Sequence, residues 1–153
     1  MPVFEITYPQ GALAPDARDQ LLDDLTTAIL RAERAPNSDF FRGVTWGYVN
    51  ELPAGAIVAA GRPVEKPTFK VDLTTPEGAL SDRRREEFVV EATRLVREAA
   101  GIPEEEGLRV FVMMHEVAEG SWGAAGQVVR FQELRETAKA EREKAGEAVA
   151  AGG

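Results

Sequence analysis

The chain has no cysteine, one histidine, and only 18 lysines and arginines against 26 aspartates and glutamates among its 153 residues. Without cysteine there is no disulfide framework, no thiolate nucleophile and no cysteine-built zinc or iron–sulfur site. A single histidine leaves no imidazole zinc site either, so no metal is expected. The net charge of −8 argues against nucleic acid or an anionic membrane as a partner, because both reward a basic surface. No apolar run approaches the roughly 18 residues that span a bilayer, and the opening MPVFEITYPQ lacks the basic and apolar regions of a signal peptide. The expectation is a soluble, cytoplasmic chain, long enough for one self-sufficient core.

What the chain has instead is an internal repeat. Pro-Val-Phe-Glu-Ile-Thr at 2–7 resembles Pro-Thr-Phe-Lys-Val-Asp at 67–72, an offset of 65. At the same offset, Glu51, Gly55, Ala59, Ala60 and Gly61 fall onto Glu116, Gly120, Ala124, Ala125 and Gly126. Each half reads as strand, helix, strand, hairpin. Residues 3–8 and 68–74 are rich in aromatic and β-branched residues, as strands are. Leu21, Leu22, Leu25, Ala28, Ile29 and Ala32 follow helical spacing after Pro15-Asp16. Phe88, Val89, Ala92, Leu95, Val96 and Ala99 do so between Ser81-Asp82 and Gly101. The helix faces superpose better at an offset of 67, which implies two extra residues in the loop before the second helix. Val44–Leu52 and Leu108–Val117 read as the second strands, followed by glycine-bearing hairpins. Gly-x-x-Gly spacings occur only in those hairpins and not between a strand and a helix, so no nucleotide cofactor is indicated.

Two such units predict an α/β (α+β) fold of tandem β-α-β repeats: a four-stranded sheet with both helices on one face. The expected organisation is a single domain over 1–133, with repeats at about 2–64 and 67–130. A charged, Ala-rich tail over 134–153 reads as a surface helix fading into disorder. Nothing in the sequence covers the other sheet face, so self-association is expected there.

A proline directly after Met1, two βαβ halves and a hairpin of the form Glu-x-x-x-Gly-x-x-x-x-x-Gly together resemble the tautomerase superfamily. Its members carry an amino-terminal proline catalyst and include oxalocrotonate tautomerase, cis-chloroacrylic acid dehalogenase and malonate semialdehyde decarboxylase. The resemblance spans residues 2 to about 131, and the two-repeat chain is more similar to the dehalogenase and decarboxylase branches. It implies a tautomerase/MIF-like fold and a homotrimer whose pocket surrounds the proline at a subunit boundary. It also implies a small carbonyl or carboxylate substrate, with no metal and no organic cofactor.

Pro2 has a physical case of its own. With Met1 removed it becomes a secondary amine at the start of a buried strand, and burial lowers the basicity of an α-amino group that ordinarily titrates near 7.7–8.0. Such an amine can abstract and return a proton beside a carbonyl, act as an acid, or attack a carbonyl covalently. The plain alternative is a proline that merely opens a strand. The other family residues transfer less well. The loop Thr74-Thr75-Pro76-Glu77-Gly78-Ala79 has no arginine where the dehalogenase-like and decarboxylase-like branches carry a pair for the substrate carboxylate. The first-helix histidine of the dehalogenases is matched by Glu33, the hairpin glutamate by Ala124 and the strand tyrosine by Met113, so dehalogenation is not expected. Asp39 stands where the decarboxylases carry an acidic residue, or else caps a turn. Arg109, on a strand with Phe111 and Met113, and Arg42 are the candidates for gripping a carboxylate, with Arg62 behind them. Phe111, Met113, Trp46 and Trp122 are candidate pocket walls. For the arginines a solvated surface role is the alternative, and for the aromatics core or interface packing. His115 and the run Arg83-Arg84-Arg85 read as an ordinary strand residue and a solvated helix face. Three readings follow: a proline-dependent tautomerase, a decarboxylase or hydratase using Pro2 and Asp39, or a trimeric binding protein that keeps the fold without chemistry.

Overall fold

A computed structural model describes residues 1–151, with side chains described through residue 144. The Gly-Gly end of the expected tail lies outside the described residues. The first repeat comprises β1 (Val3–Pro9), α1 (Pro15–Glu33), a short α2 (Asp39–Gly43), β2 (Trp46–Leu52) and a hairpin of β3 (Val58–Ala59) and β4 (Arg62–Pro63). The second comprises β5 (Phe69–Pro76), α3 (Asp82–Ala100), a 3-10 turn over Glu104–Arg109, β6 (Val110–Val117) and a hairpin of β7 (Gly123–Ala124) and β8 (Gln127–Val128). A final helix, α4, runs over Phe131–Ala151.

The sheet order is β2-β1-β5-β6, with β1 parallel to β2, β5 parallel to β6, and the two halves joined antiparallel through Val3–Thr74 to Thr7–Lys70. Strand alternation decides the two faces. Phe4, Ile6 and Tyr8 of β1 and Phe69, Val71 and Leu73 of β5 point to the helices and are buried. They meet Leu21, Leu25 and Ile29 of α1 and Phe88, Ala92 and Val96 of α3, which recur at helical spacing. Both helices have 19 residues and start 67 positions apart, as the repeat predicts. α1 begins on Pro15, whose missing N–H has no helical partner to lose, and ends at Arg34 in the left-handed region; α3 ends at Gly101 in the same conformation.

Two boundaries differ from expectation. Val44 and Thr45 close α2 rather than open β2, and Leu108 and Arg109 belong to the 3-10 turn rather than to β6. The reason is local hydrogen bonding: Val44 and Thr45 N–H donate back to Phe40 and Arg42, which holds them in a turn. The opposite sheet face carries exposed Trp46 and Tyr48 at one edge and Phe111 and Met113 at the other, around polar Glu5, Lys70 and Asp72. No helix among the described residues is long and apolar enough to cross a membrane.

Candidate active site

Pro2 lies one residue ahead of β1 with its side chain fully buried. Its carbonyl accepts from the Trp46 N–H at 3.2 Å. Extending both registers by one residue sets it between Thr45 and Thr75, the two buried polar residues among the described residues. The Thr45 hydroxyl donates to the Phe41 carbonyl at 2.8 Å, which ties α2 to this corner.

The chain end just before Pro2 interacts with Glu33, the last residue of α1. Burial holds the Met1 ammonium below its ordinary range, against the opposing pull of the Glu33 carboxylate. Burial likewise pushes the Glu33 carboxyl up, opposed by the amine and by Arg84. Part of the Glu33 side chain reaches the surface, but its Oε1 is sealed from water and has no hydrogen-bond partner among the described residues. A desolvated amine beside a desolvated carboxyl can exchange a proton with a bound molecule, and neither group is held in its charged form by solvent.

Glu33 forms part of the wall of an open cavity of about 380 Å³. Phe41, Pro76 and Phe131 supply apolar surface, and four arginines line the same space: Arg34 after α1, Arg84 from the first turn of α3, and Arg135 and Arg142 from α4. Arg84 donates to the Ala32 carbonyl at 2.7 Å and to Ser81 Oγ at 3.2 Å. Arg142 donates to the Arg34 carbonyl at 2.8 Å. Both carbonyls belong to the end of α1, where carbonyls have no helical N–H to accept from.

The residues singled out from sequence divide between two places. Trp122 is half-buried and packs edge-on against Phe131, with ring centroids 6.4 Å apart, one layer behind this cavity. Asp39 starts α2 and is exposed, two residues before Phe41 in the cavity wall. Arg42 bonds Asp23, Thr27 and Asn37, so its guanidinium is spent on joining α2 to α1. Arg109 and Phe111 stand elsewhere, in a cavity of about 360 Å³ under the first hairpin. Arg109 donates to the Pro67 carbonyl at 2.8 Å and pairs with Glu106 at 2.6 Å. Pro67 is the repeat counterpart of Pro2, so within one chain these two residues sit at the other repeat's strand head and not beside Pro2. Arg109 ends the 3-10 turn, so it does not share the sheet face of Phe111 by strand alternation. Arg34, Arg84, Arg135 and Arg142 were not singled out by sequence. One signal for α4 was there: Phe131, Leu134, Ala138 and Arg142 fall at helical spacing on one face.

Residues 67–132 match the tautomerase enzyme family. No curated protein matches the sequence significantly. Among solved structures, Pt0534 inactivated by 2-oxo-3-pentynoate is similar at 22% identity and a TM-score of 0.69, over 82% of this chain and 94% of that one. The F6 fused 4-OT wild-type asymmetric trimer is similar at 21% identity and a TM-score of 0.68, again over 82% and 94%. N1, a member of the cis-3-chloroacrylic acid dehalogenase family, is similar at 19% identity and a TM-score of 0.69, over 83% and 82%. The macrophage migration inhibitory factor of Toxoplasma gondii shares the fold at 13% identity and a TM-score of 0.65, over 83% and 99%. The family match falls on the second repeat, and the fold expected from the sequence is the fold these structures share.

Proposed function

We propose that this chain, with the tautomerase superfamily's fold and a tautomerase domain over residues 67–132, is a keto–enol tautomerase that uses Pro2 as its proton carrier. The observation that carries the reading is the burial of Pro2 at the head of β1, next to a chain-end amine whose basicity burial lowers. Removal of Met1 makes the Pro2 nitrogen the chain end, one residue further in than the amine that now interacts with Glu33. There the neutral amine takes the hydroxyl proton of an enol as its electrons move into a C=O bond, and the resulting ammonium delivers a proton to carbon. The rigid ring keeps the nitrogen lone pair in one direction, and β1 fixes that direction through its neighbours on both sides.

The same reading includes a homotrimer. The sheet face opposite the helices carries Trp46 and Phe111 at 60% and 61% exposure, which is more aromatic surface than an isolated sheet usually leaves in water. The fused 4-OT relatives of this fold are trimers. Packing of that face against neighbours would bring Phe111 from one chain toward another chain's site. Sedimentation velocity checks the assembly, and a monomer at micromolar concentration overturns it.

The test of function is ketonisation of phenylenolpyruvate and 2-hydroxymuconate by protein whose intact mass shows loss of Met1, with Pro2→Ala beside it. Turnover that collapses in the variant supports the proline reading. Equal turnover in both proteins refutes it.

A further inference from the structure

Four of the chain's 14 arginines line one cavity, and none of the four pairs with a carboxylate among the described residues. Of the other ten, Arg18, Arg31, Arg42, Arg83, Arg85, Arg94, Arg109 and Arg130 each lie within 4 Å of an acidic side chain. In a chain with 26 acidic residues, cations find partners readily, so four arginines around one cavity without a salt bridge are a specific arrangement; Arg84 still acts on the Glu33 carboxyl, and Arg135 also borders a recess with Glu77, Glu119, Glu133 and Glu136. Among the described residues, Glu33 and Glu77 are the acidic side chains that line the same space, two against four. Four like charges around one cavity repel each other, and an organic anion neutralises them with charge-assisted hydrogen bonds.

We infer that α4 is a wall of the substrate site and that Arg135 and Arg142 bind the carboxylate of a small organic acid there, together with Arg34 and Arg84. This rests on the reading of Pro2 for its chemistry, but the anion site stands on its own geometry. Helix α4 is docked at several points rather than lying loose on the surface. Phe131 is 2% exposed and packs edge-on against Trp122, and its N–H donates to the Glu119 carboxylate at 3.1 Å, which caps the helix start. Further along, Ser38 donates to Glu141 at 2.9 Å and Arg142 reaches the end of α1. Arg135 lies between these anchors along the helix, exposed, and lines the cavity. The helix thereby supplies the guanidinium groups that the 74–79 loop lacks, and the cavity selects acids over neutral carbonyl compounds of the same size.

The test is calorimetric titration of the full chain at low salt with succinate, an unreactive dicarboxylate, and with neutral succinamide. Succinate should bind and succinamide should not. Arg135→Gln and Arg142→Gln should each weaken succinate by about tenfold or more, the loss expected for a hydrogen bond to a charged group. Lys139→Gln removes the same charge from the same helix. Lys139 lies outside the cavity and pairs with Glu143 at 3.8 Å, so that variant should bind within about twofold of the parent. Arg135 is exposed, so its replacement leaves the core intact, and Arg135→Lys should recover part of the affinity. The inference is overturned if succinate fails to bind, if succinamide binds equally well, or if Lys139→Gln weakens binding as much as Arg135→Gln. Pro2→Ala should bind succinate normally. Turnover that survives Pro2→Ala, with the arginine effects intact, would remove the proline mechanism and leave the anion site standing.

Discussion

Exchange of Gly47 for alanine should unseat the head of β1, and the size of the effect follows from the geometry. Gly47 pairs with Phe4 across the parallel β1–β2 register and shares its face. A Cβ at Gly47 would lie 2.4 Å from Phe4 Cζ, 2.7 Å from Cε1 and 3.0 Å from Cε2. Carbon atoms in contact prefer about 3.5–4.0 Å, so the two groups must separate by roughly 1 Å. Phe4 is 2% exposed and surrounded by core, which leaves its ring no free direction. Overpacking of this kind costs about 1–3 kcal/mol. At this chain length, that corresponds to a fall in melting temperature of about 2–12 °C. Backbone entropy alone predicts the opposite sign, because alanine in a strand is favoured over glycine by about 0.5–1 kcal/mol. Urea unfolding at a fixed protein concentration distinguishes the two, with the slope checked for constancy. Phe4→Leu removes the three struck atoms, so the double variant should be less destabilised than the sum of the single variants by at least about 1 kcal/mol. An unchanged or raised midpoint for Gly47→Ala, or strict additivity in the cycle, would refute the packing argument.

Three further outcomes follow from the site and its supports. If neutral Pro2 is the base, kcat/KM should rise with pH as the amine loses its proton and then level off. Burial lowers the Met1 amine, and an amine on the buried Pro2 ring is subject to the same desolvation, so the midpoint should fall below the ordinary range near 7.7–8.0; a profile that falls through neutrality would assign Pro2 as the acid instead. Glu33→Gln removes the charge that raises the Met1 amine, so if Glu33 acts the same way on the Pro2 nitrogen the rising limb should move to still lower pH; a shift upward would contradict that role of Glu33. Tyr8 is buried and donates to Glu51 at 2.9 Å, and burial, followed by that bond and the Glu51 charge, pushes its phenol up to about 12. Absorbance titration should therefore show one tyrosine ionising near 12, and Tyr8→Phe should remove that step and cost about 1 kcal/mol of stability in urea unfolding.

The repeat, both long helices, the four-stranded sheet and the position of Pro2 were legible in the sequence because each rests on local periodicity. Alternation along β1 and β5 and the 3.6-residue spacing in α1 and α3 encode which side is buried, and the shared offset near 65 encodes that the halves are alike. Departures came where hydrogen bonds within a turn outweighed pattern. Arg109 had strand parity with Phe111 in the sequence, yet the 3-10 turn ends on it and directs it to Pro67 and Glu106.

The cavity was decided by tertiary structure alone. Arg83, Arg84 and Arg85 are indistinguishable in sequence, but successive helical residues are separated by about 100° around the axis. Arg83 therefore pairs with Glu87 and Arg85 with Glu116, while Arg84 turns toward the end of α1. Arg142 reaches the Arg34 carbonyl across 108 positions of chain, and Ser38 reaches Glu141 across 103. No periodicity carries information over such separations. The sequence determined which faces of its elements seek the core. Which charged ends of those elements meet beside Glu33 depends on how the packed helices point, and that orientation exists only once the core has formed.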